Sequence, residues 1–72
     1  MARVEVLSEV TGTVWKIEKR TGSAVAADEN ILILESMKME IPVVAPVTGT
    51  VELSISEGDA VTEGQLLAVV ES

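Results

Sequence analysis

The sequence contains no cysteine and no histidine. Without cysteine, neither a disulfide framework nor a thiolate metal site can form. Without histidine, the chain lacks the side chain that most often serves as a general base and as a transition-metal ligand. Its carboxylates show no pairing that suggests acid–base catalysis. The sequence therefore predicts no catalytic residue and no metal ligand, and we do not expect an enzyme.

Aromatic residues are nearly absent, because Trp15 stands alone and there is no Phe or Tyr. A hydrophobic core must then be built from the abundant Val, Ile and Leu, and β-branched residues favour strands over helices. The length of 72 residues is that of one small domain, which we place at 1–72. A domain of this size buries only about 60% of its unfolded surface.

Basic residues are scarce, and long apolar runs are missing. Twelve acidic and five basic side chains give a net charge of -7, which repels phosphate backbones. The apolar runs are far shorter than the roughly 20 residues of a membrane span, and residues 1–5 lack the apolar core of a signal peptide. The expectation is a cytoplasmic protein with neither nucleic acid nor a membrane as partner.

The chain repeats itself. The sequence Val-Thr-Gly-Thr-Val occurs at 10–14 and again at 47–51, and Gly22–Val25 resembles Gly58–Val61. Turn signals separate short apolar segments, and the strands are predicted near 2–7, 12–19, 24–26, 31–36, 39–45, 49–56, 60–62 and 66–71. Each half alone would expose an apolar sheet face. We therefore predict an all-β fold, a flattened β-barrel or sandwich of two four-stranded antiparallel sheets with a quasi-twofold internal repeat.

The offset between the two copies adds detail. It is 37 residues from Gly12 to Gly49 but 36 from Gly22 to Gly58, so the first copy carries one extra residue. One inserted residue reverses every later side chain in a strand unless a bulge absorbs it, and we predict a bulge near Trp15–Lys16. The spacing leaves open which face Trp15 occupies. The core is predicted to include Val14, Ile33, Val51 and Val69.

The joint between the two copies consists of Met37-Lys38-Met39-Glu40. Helix propensity alone would favour a helix across 32–41, but the repeat requires strands on both sides, and the four residues then form an exposed hairpin. The hairpin lacks the Asn-Gly or Asp-Gly that tight turns use to reach positive φ, so strain is expected at Met37–Lys38. The repeat also places the two chain ends together at the pole opposite this hairpin.

Lys38 at the hairpin tip is a candidate acceptor for covalent modification. A primary amine can attack an activated acyl group if it is accessible, although most turn lysines are merely solvated. Met37 and Met39 could anchor the hairpin in the core or form a flexible apolar surface for a modifying enzyme. Glu35 and Glu40 either bias the choice of partner or only solvate the hairpin. A possible contact patch, or simply a set of solubilising charges, consists of Arg3, Lys16, Lys19 and Arg20.

The run Glu35-Ser36-Met37-Lys38-Met39-Glu40 resembles the attachment motif of biotinyl domains in the biotin/lipoyl attachment family. The resemblance extends over nearly the whole chain, including Gly12–Lys16 and Glu57–Val61. It implies that biotin protein ligase joins biotin to Lys38, with Glu35, Ser36, Met37, Met39 and Glu40 forming the hairpin that the ligase recognises. It further implies a carrier, monomeric by itself, that moves carboxylate between a biotin carboxylase and a carboxyltransferase.

Two alternatives remain open. A lipoyl carrier would use the same lysine hairpin with lipoate as its cofactor, although lipoyl domains usually have Asp before and Ala after the lysine. A structural or regulatory β-sandwich would have Lys38 as an ordinary surface residue.

Overall fold

A computed structural model of the protein describes residues 2–72. The predicted all-β fold is confirmed, since the described residues form eight strands and no helix. The strands are β1 (Arg3–Leu7), β2 (Gly12–Ile17), β3 (Ala24–Val25), β4 (Asn30–Ser36), β5 (Met39–Val44), β6 (Gly49–Leu53), β7 (Ala60–Val61) and β8 (Leu66–Glu71). All eight lie within or close to the predicted ranges. Strands β2 and β6 end earlier than predicted, at Ile17 and Leu53.

The strands form two antiparallel four-stranded sheets, so the fold is a sandwich and not a closed barrel. The strand order is β1-β8-β6-β3 in the first sheet, called sheet A here, and β5-β4-β2-β7 in the second, called sheet B. Sheet A holds β6 and β8 of the second sequence copy but takes β1 and β3 from the first. Sheet B is the converse. Each half of the sequence therefore contributes strands to both sheets, as the quasi-twofold repeat requires.

The inner faces of both sheets meet in one aliphatic core. Its members are Val6, Val14, Val25, Ile31, Leu32, Leu34, Ala45, Val51, Val61, Leu67, Ala68 and Val70. The prediction is confirmed for Val14 and Val51. It was wrong for Ile33, which is only half-buried because side-chain alternation in β4 turns it to the outer face. Val69 is buried, yet the same alternation in β8 places it on an outer face too.

The bulge predicted near Trp15–Lys16 is present. Val14 pairs with Leu34 and Lys16 pairs with Ile33, so Trp15 is the extra residue in β2. Val14 is buried, Trp15 and Lys16 are exposed and Ile17 is half-buried against the core, so both bulge residues point outward. The question of the face that Trp15 occupies is thereby answered. Strand β6, the repeat equivalent of β2, pairs with β8 without a bulge.

The molecule is 36 Å long and less than 20 Å in its other dimensions, so it has two poles. Near one pole, the backbone N–H of Ser72 donates to the Ala2 carbonyl at 2.9 Å. The link of residues 8–11 follows the other end of β1, and it contacts the base of the lysine hairpin through a hydrogen bond from Ser36 to Thr11. Ala2 and Ser72 thus lie at the pole opposite Lys38, as the repeat predicts. None of the described residues belongs to a helix that could cross a membrane.

Candidate functional site

Lys38 lies in a two-residue turn between β4 and β5. Ser36 and Met39 form the last cross-strand pair, which leaves Met37 and Lys38 as the connecting residues. Their φ angles are 52° and 65°, both in the left-handed region, which is the pattern of the type I′ turns that suit hairpin twist. Neither residue is the Asn or Gly that usually occupies such positions. The predicted backbone strain is therefore present, at a cost on the order of 1–3 kcal/mol per residue.

The side chains of the turn extend into solvent. Met37 is 92% exposed and Met39 is 63% exposed, so neither methionine anchors the hairpin in the core. Lys38 is exposed as well, and no carboxylate within residues 2–72 approaches it closely enough to form an ion pair. The turn therefore presents one accessible amine between two flexible apolar side chains.

The base of the hairpin is held by the link between β1 and β2. The Ser36 hydroxyl donates to the Thr11 carbonyl at 2.8 Å, and Gly12 packs against the backbone of Glu35 so closely that a Cβ would overlap its carbonyl oxygen. The link itself is fixed, because Ser8 receives a backbone hydrogen bond from Gly64 at 2.7 Å. An otherwise strained and exposed turn thus stands on a rigid support. The roles of Gly12 and Thr11 were not apparent from the sequence.

The two glutamates of the motif lie directly opposite each other. Glu35 pairs with Glu40 across β4 and β5, and both are exposed. No basic group of the part of the chain that the structure describes lies within ion-pair distance of either one. Like charges that face each other across a sheet are unfavourable. Within residues 2–72, the two carboxylates at the base of the lysine hairpin therefore have no ion-pair partner.

The basic residues considered as a contact patch do not come together. Arg3 lies in sheet A and pairs with Glu71, whereas Lys16 lies in sheet B and pairs with Glu18. Lys19 pairs with Glu29 at 3.0 Å. Dispersed and mostly paired, these cations fit the solubilising role better than a binding patch.

The arrangement can accept an acyl group but offers little else. Residues 2–72 contain no cluster of side chains suited to hold a metal ion. Among residues 2–72 no acidic or basic side chain forms an ion pair or hydrogen bond with the Lys38 amine, so a reaction at this nitrogen depends on groups that another protein brings. What the hairpin supplies is position, because it holds one nucleophile at the end of a narrow molecule.

Comparisons with known proteins agree with this geometry. A model of the biotin/lipoyl family, described as biotin-requiring enzyme, matches residues 5–70. The biotin/lipoyl attachment protein of Bacillus subtilis is 43% identical over 60 residues, which cover 82% of each chain. The biotinylated protein TB7.3 homolog of Mycobacterium leprae is 39% identical over 67 residues, covering 92% of this chain and 94% of that protein.

Solved structures share the fold over nearly the whole chain. The urea carboxylase of Kluyveromyces lactis superposes with a TM-score of 0.91 at 35% identity, over 99% of this chain and 6% of that one. The lipoyl domain of the 2-oxoglutarate dehydrogenase complex of Azotobacter vinelandii gives a TM-score of 0.82 at 30% identity, with 96% of each chain covered. The same sandwich is thus found in a urea carboxylase and in a lipoyl domain, so the backbone alone does not identify the cofactor.

Proposed function

The chain belongs to the biotin/lipoyl attachment family, and from that premise we propose that it is a biotin carrier with biotin joined to the Nζ atom of Lys38. The observation that carries the proposal is the Met-Lys-Met turn, in which a single amine stands exposed between two exposed methionines. Residues held in a strained backbone conformation cluster at functional sites. Here the side chain that needs the position is the lysine.

Biotin is favoured over lipoate by the residues that flank Lys38. Met37 and Met39 stand where lipoyl domains usually have Asp and Ala, and exposed thioethers offer a ligase an apolar, adaptable surface. Of the similar proteins, one is named a biotinylated protein, one is named for both biotin and lipoyl attachment, and one solved structure is a lipoyl domain. The fold supports either cofactor, and the side chains of the turn support biotin.

Attachment requires a ligase, because neither carboxylate of the hairpin, Glu35 or Glu40, is within ion-pair distance of the Lys38 amine. A biotin protein ligase would present biotin as its acyl adenylate, and the neutral amine of Lys38 attacks the carbonyl carbon. The new amide C–N bond forms as the bond from that carbon to the phosphate oxygen breaks, AMP leaves, and the amine gives up a proton to the ligase or to solvent.

The loaded protein would act as a carrier and not as a catalyst. Biotin held on Lys38 would supply a ureido nitrogen that can carry carboxylate from a biotin carboxylase to a carboxyltransferase. The chain contributes a high effective concentration of the tethered group at both active sites. Its rigid hairpin base and narrow shape suit that task, because only the pole with Lys38 has to enter a partner.

The proposal is tested by expression with a biotin ligase followed by intact-mass measurement. The wild-type chain should gain one biotinyl group, and Lys38→Arg should gain none. Lys16→Arg, which alters another exposed lysine of sheet B, serves as the matched control and should be labelled like the wild type. Biotin found on the Lys38→Arg variant would overturn the assignment.

The lipoyl alternative has its own test because its ligases respond to other flanking residues. Met37→Asp combined with Met39→Ala should lower the rate of biotin transfer and raise the rate of lipoyl transfer. Equal rates on both substrates would remove the argument from the methionines. A non-carrier sandwich would instead show no biotin on Lys38 in protein taken from biotin-replete cells of the native source.

A further inference from the structure

The two outer faces of the sandwich are related by the sequence repeat but differ in chemistry. In sheet A, Glu5 and Glu52 lie on either side of Val69. In sheet B, the equivalent positions form a row of Pro42, Ile33 and the bulge residues Trp15 and Lys16. The row across sheet A therefore has a glutamate on each side of Val69, whereas the equivalent row across sheet B is largely apolar.

In sheet A three of the outer charges neutralise one another within the chain. Arg3 lies opposite Glu71 and forms an ion pair with it at 2.7 Å, and its second nitrogen lies 3.4 Å from Glu52. One arginine thus neutralises two carboxylates. These hydrogen bonds hold the pKa of Arg3 above its ordinary value. Glu52 and Glu71 therefore need no cation from outside the chain.

In sheet B the same positions hold an acid in place of the arginine. Glu40 is the repeat equivalent of Arg3, and Glu35 is the equivalent of Glu71, so two carboxylates face each other. The cation of this face, Lys16, is paired with Glu18 at 3.6 Å and so is not the partner of this acidic pair. The cation that completes the pattern of sheet A is missing from the described surface of sheet B.

Next to the acidic pair is the apolar row, defined here as Trp15, Ile33 and Pro42. Trp15 is half-exposed although it is the one aromatic residue of the chain, and it is placed outward by a bulge that β6 lacks. Exposed aromatic residues beside apolar neighbours are typical of binding surfaces, where tryptophan contributes disproportionately to affinity. Pro42 lacks an N–H group in edge strand β5, which disfavours a partner that adds a strand there.

We propose that the outer face of sheet B is the docking surface for the biotin protein ligase. The ligase packs an apolar patch on Trp15, Ile33 and Pro42 and supplies an arginine or lysine to Glu35 and Glu40, in the role that Arg3 plays within sheet A. This inference rests on the proposed function of Lys38. It goes beyond the hairpin motif, because the apolar row lies on the body of the sheet.

The ligase is favoured over the later partners by the reach of the lysine. Before modification the reacting amine is at the end of the lysine side chain alone, with no cofactor to lengthen its reach. The ligase must therefore approach to within a few ångströms of the hairpin. Glu35 and Ile33 lie three and five residues from Lys38 along β4, within about 17 Å at the rise of an extended strand. A carboxylase meets the biotin at the end of a longer arm and need not cover this face.

Trp15 allows the docking to be observed directly, because it is the one tryptophan of the chain. The Lys38→Arg chain, which cannot be biotinylated at position 38, is labelled with 5-fluorotryptophan. It is then titrated with an unlabelled ligase that biotinylates the wild type. The single fluorine resonance should shift or broaden as the complex forms and should return when excess unlabelled Lys38→Arg chain is added. An unchanged resonance at a ligase concentration that saturates the chain would overturn the docking surface.

Kinetic measurements use the repeat to provide matched controls. Trp15→Ser should raise KM for the carrier by roughly tenfold with kcat within about twofold, as expected for loss of a central aromatic contact. Glu5→Ser and Glu52→Ser, at the equivalent row of sheet A, should change neither constant appreciably. Glu40→Arg places a cation opposite Glu35 within the chain, so the cation of the ligase loses its partner. The variant should raise KM and make KM depend less on salt concentration.

The possible outcomes separate the two proposals. If no ligase modifies the wild type, the proposed function itself fails. If the wild type is biotinylated but the resonance and the KM of Trp15→Ser are unchanged, only the docking surface fails. A dimer in light scattering that Trp15→Ser converts to monomer would assign the apolar row to a second copy of the chain and overturn the role of the ligase.

Discussion

At the scale of single residues, the turn at Met37–Lys38 lowers the stability of the fold. Both residues have positive φ, a conformation that Asn and Gly adopt with less backbone strain. Met37→Asn combined with Lys38→Gly should therefore raise the free energy of unfolding by about 1–2 kcal/mol, measured by urea denaturation. Lys38→Ala should stay within about 0.5 kcal/mol of the wild type, because the lysine side chain is exposed. A loss of several kcal/mol in Lys38→Ala would mean that the amine is structurally engaged and could not serve as an attachment point.

Gly12 is the residue on which the hairpin base depends most directly. A Cβ at this position would overlap the carbonyl oxygen of Glu35, so Gly12→Ala forces the backbone of β4 to move. We expect Gly12→Ala to lower the free energy of unfolding by about 1–3 kcal/mol, the usual cost of overpacking. The amide signals of Glu35 and Ser36 should shift with it in NMR spectra.

Gly22→Asn is the control for this substitution. Gly22 has a φ of 93° but open space around its Cβ position, and asparagine tolerates positive φ better than other residues with side chains. Its cost should stay near or below about 1 kcal/mol. If Gly12→Ala were no more costly than Gly22→Asn, the close contact of β2 with β4 would not be important for the hairpin.

At the scale of strands, the bulge in β2 behaves as an insertion that can be removed. Deletion of Trp15 leaves Val14 inward, Lys16 outward and Ile17 inward, which is the alternation that β6 shows without a bulge. The shortened chain should remain folded and lose no more than about 2 kcal/mol, from the half-buried indole. Circular dichroism and thermal unfolding would measure this.

The matched control is deletion of Glu52 from β6. That deletion places Val51 and Leu53 next to each other and turns the inward Leu53 to the outer face, since a shift by one residue reverses a strand. We expect this variant to lose most of its stability although the deleted side chain is exposed. Equal stability of the two shortened chains would show that the bulge does not absorb the extra residue.

Much of this strand arrangement follows from the sequence because the repeat checks each assignment twice. The bulge at Trp15 and the turn at Lys38 were both predictable, as interruptions of an otherwise regular repeat. The face that Ile33 occupies could not be predicted. The pairing of β4 with β5 shifts register between Asn30 and Leu32, and this shift leaves Ile31 and Leu32 both buried. Apolar residues in consecutive positions give no alternation from which the inward side chain can be recognised.

The repeat also contained a signal for the left-handed backbone of Asp28, which was not predicted. Asp28 has a φ of 70°, and its equivalent Gly64 has a φ of 88°. A glycine in one copy aligned with an aspartate in the other indicates a left-handed position in both. The docking surface was also missed, because an apolar outer face becomes recognisable only once the register places Trp15, Ile33 and Pro42 in one row.

At the scale of the whole molecule, neither half of the chain can complete a sheet. Sheet A contains strands from both halves, with β1 and β3 of the first half at its edges and β6 and β8 of the second half between them. Fragments 1–38 and 39–72 should each be disordered, since each would expose the residues of a shared core. The intact chain should unfold in one cooperative transition.

Mixing the two fragments provides the positive counterpart of that prediction. The cut lies in the turn after Lys38 and breaks no cross-strand pair, so equimolar fragments at high concentration should restore the β-sheet spectrum. The amide signals of the mixture should resemble those of the intact chain away from the turn. A fragment that folds alone, or a mixture that stays disordered at all accessible concentrations, would contradict the shared-core account.

The exchange of strands between the sheets also bears on the origin of the attachment site. A duplicated half-length ancestor would have formed this sandwich as a symmetric pair of separate chains, with two equal poles and loose ends at both. Joining the copies closed one pole, and the joint is the segment that now holds Lys38. Lys38 in its present position would then be no older than the fusion, whereas the sandwich that supports it would be older. Loss of symmetry would thereby have given the molecule a direction, with Lys38 at one pole and Ala2 and Ser72 at the other.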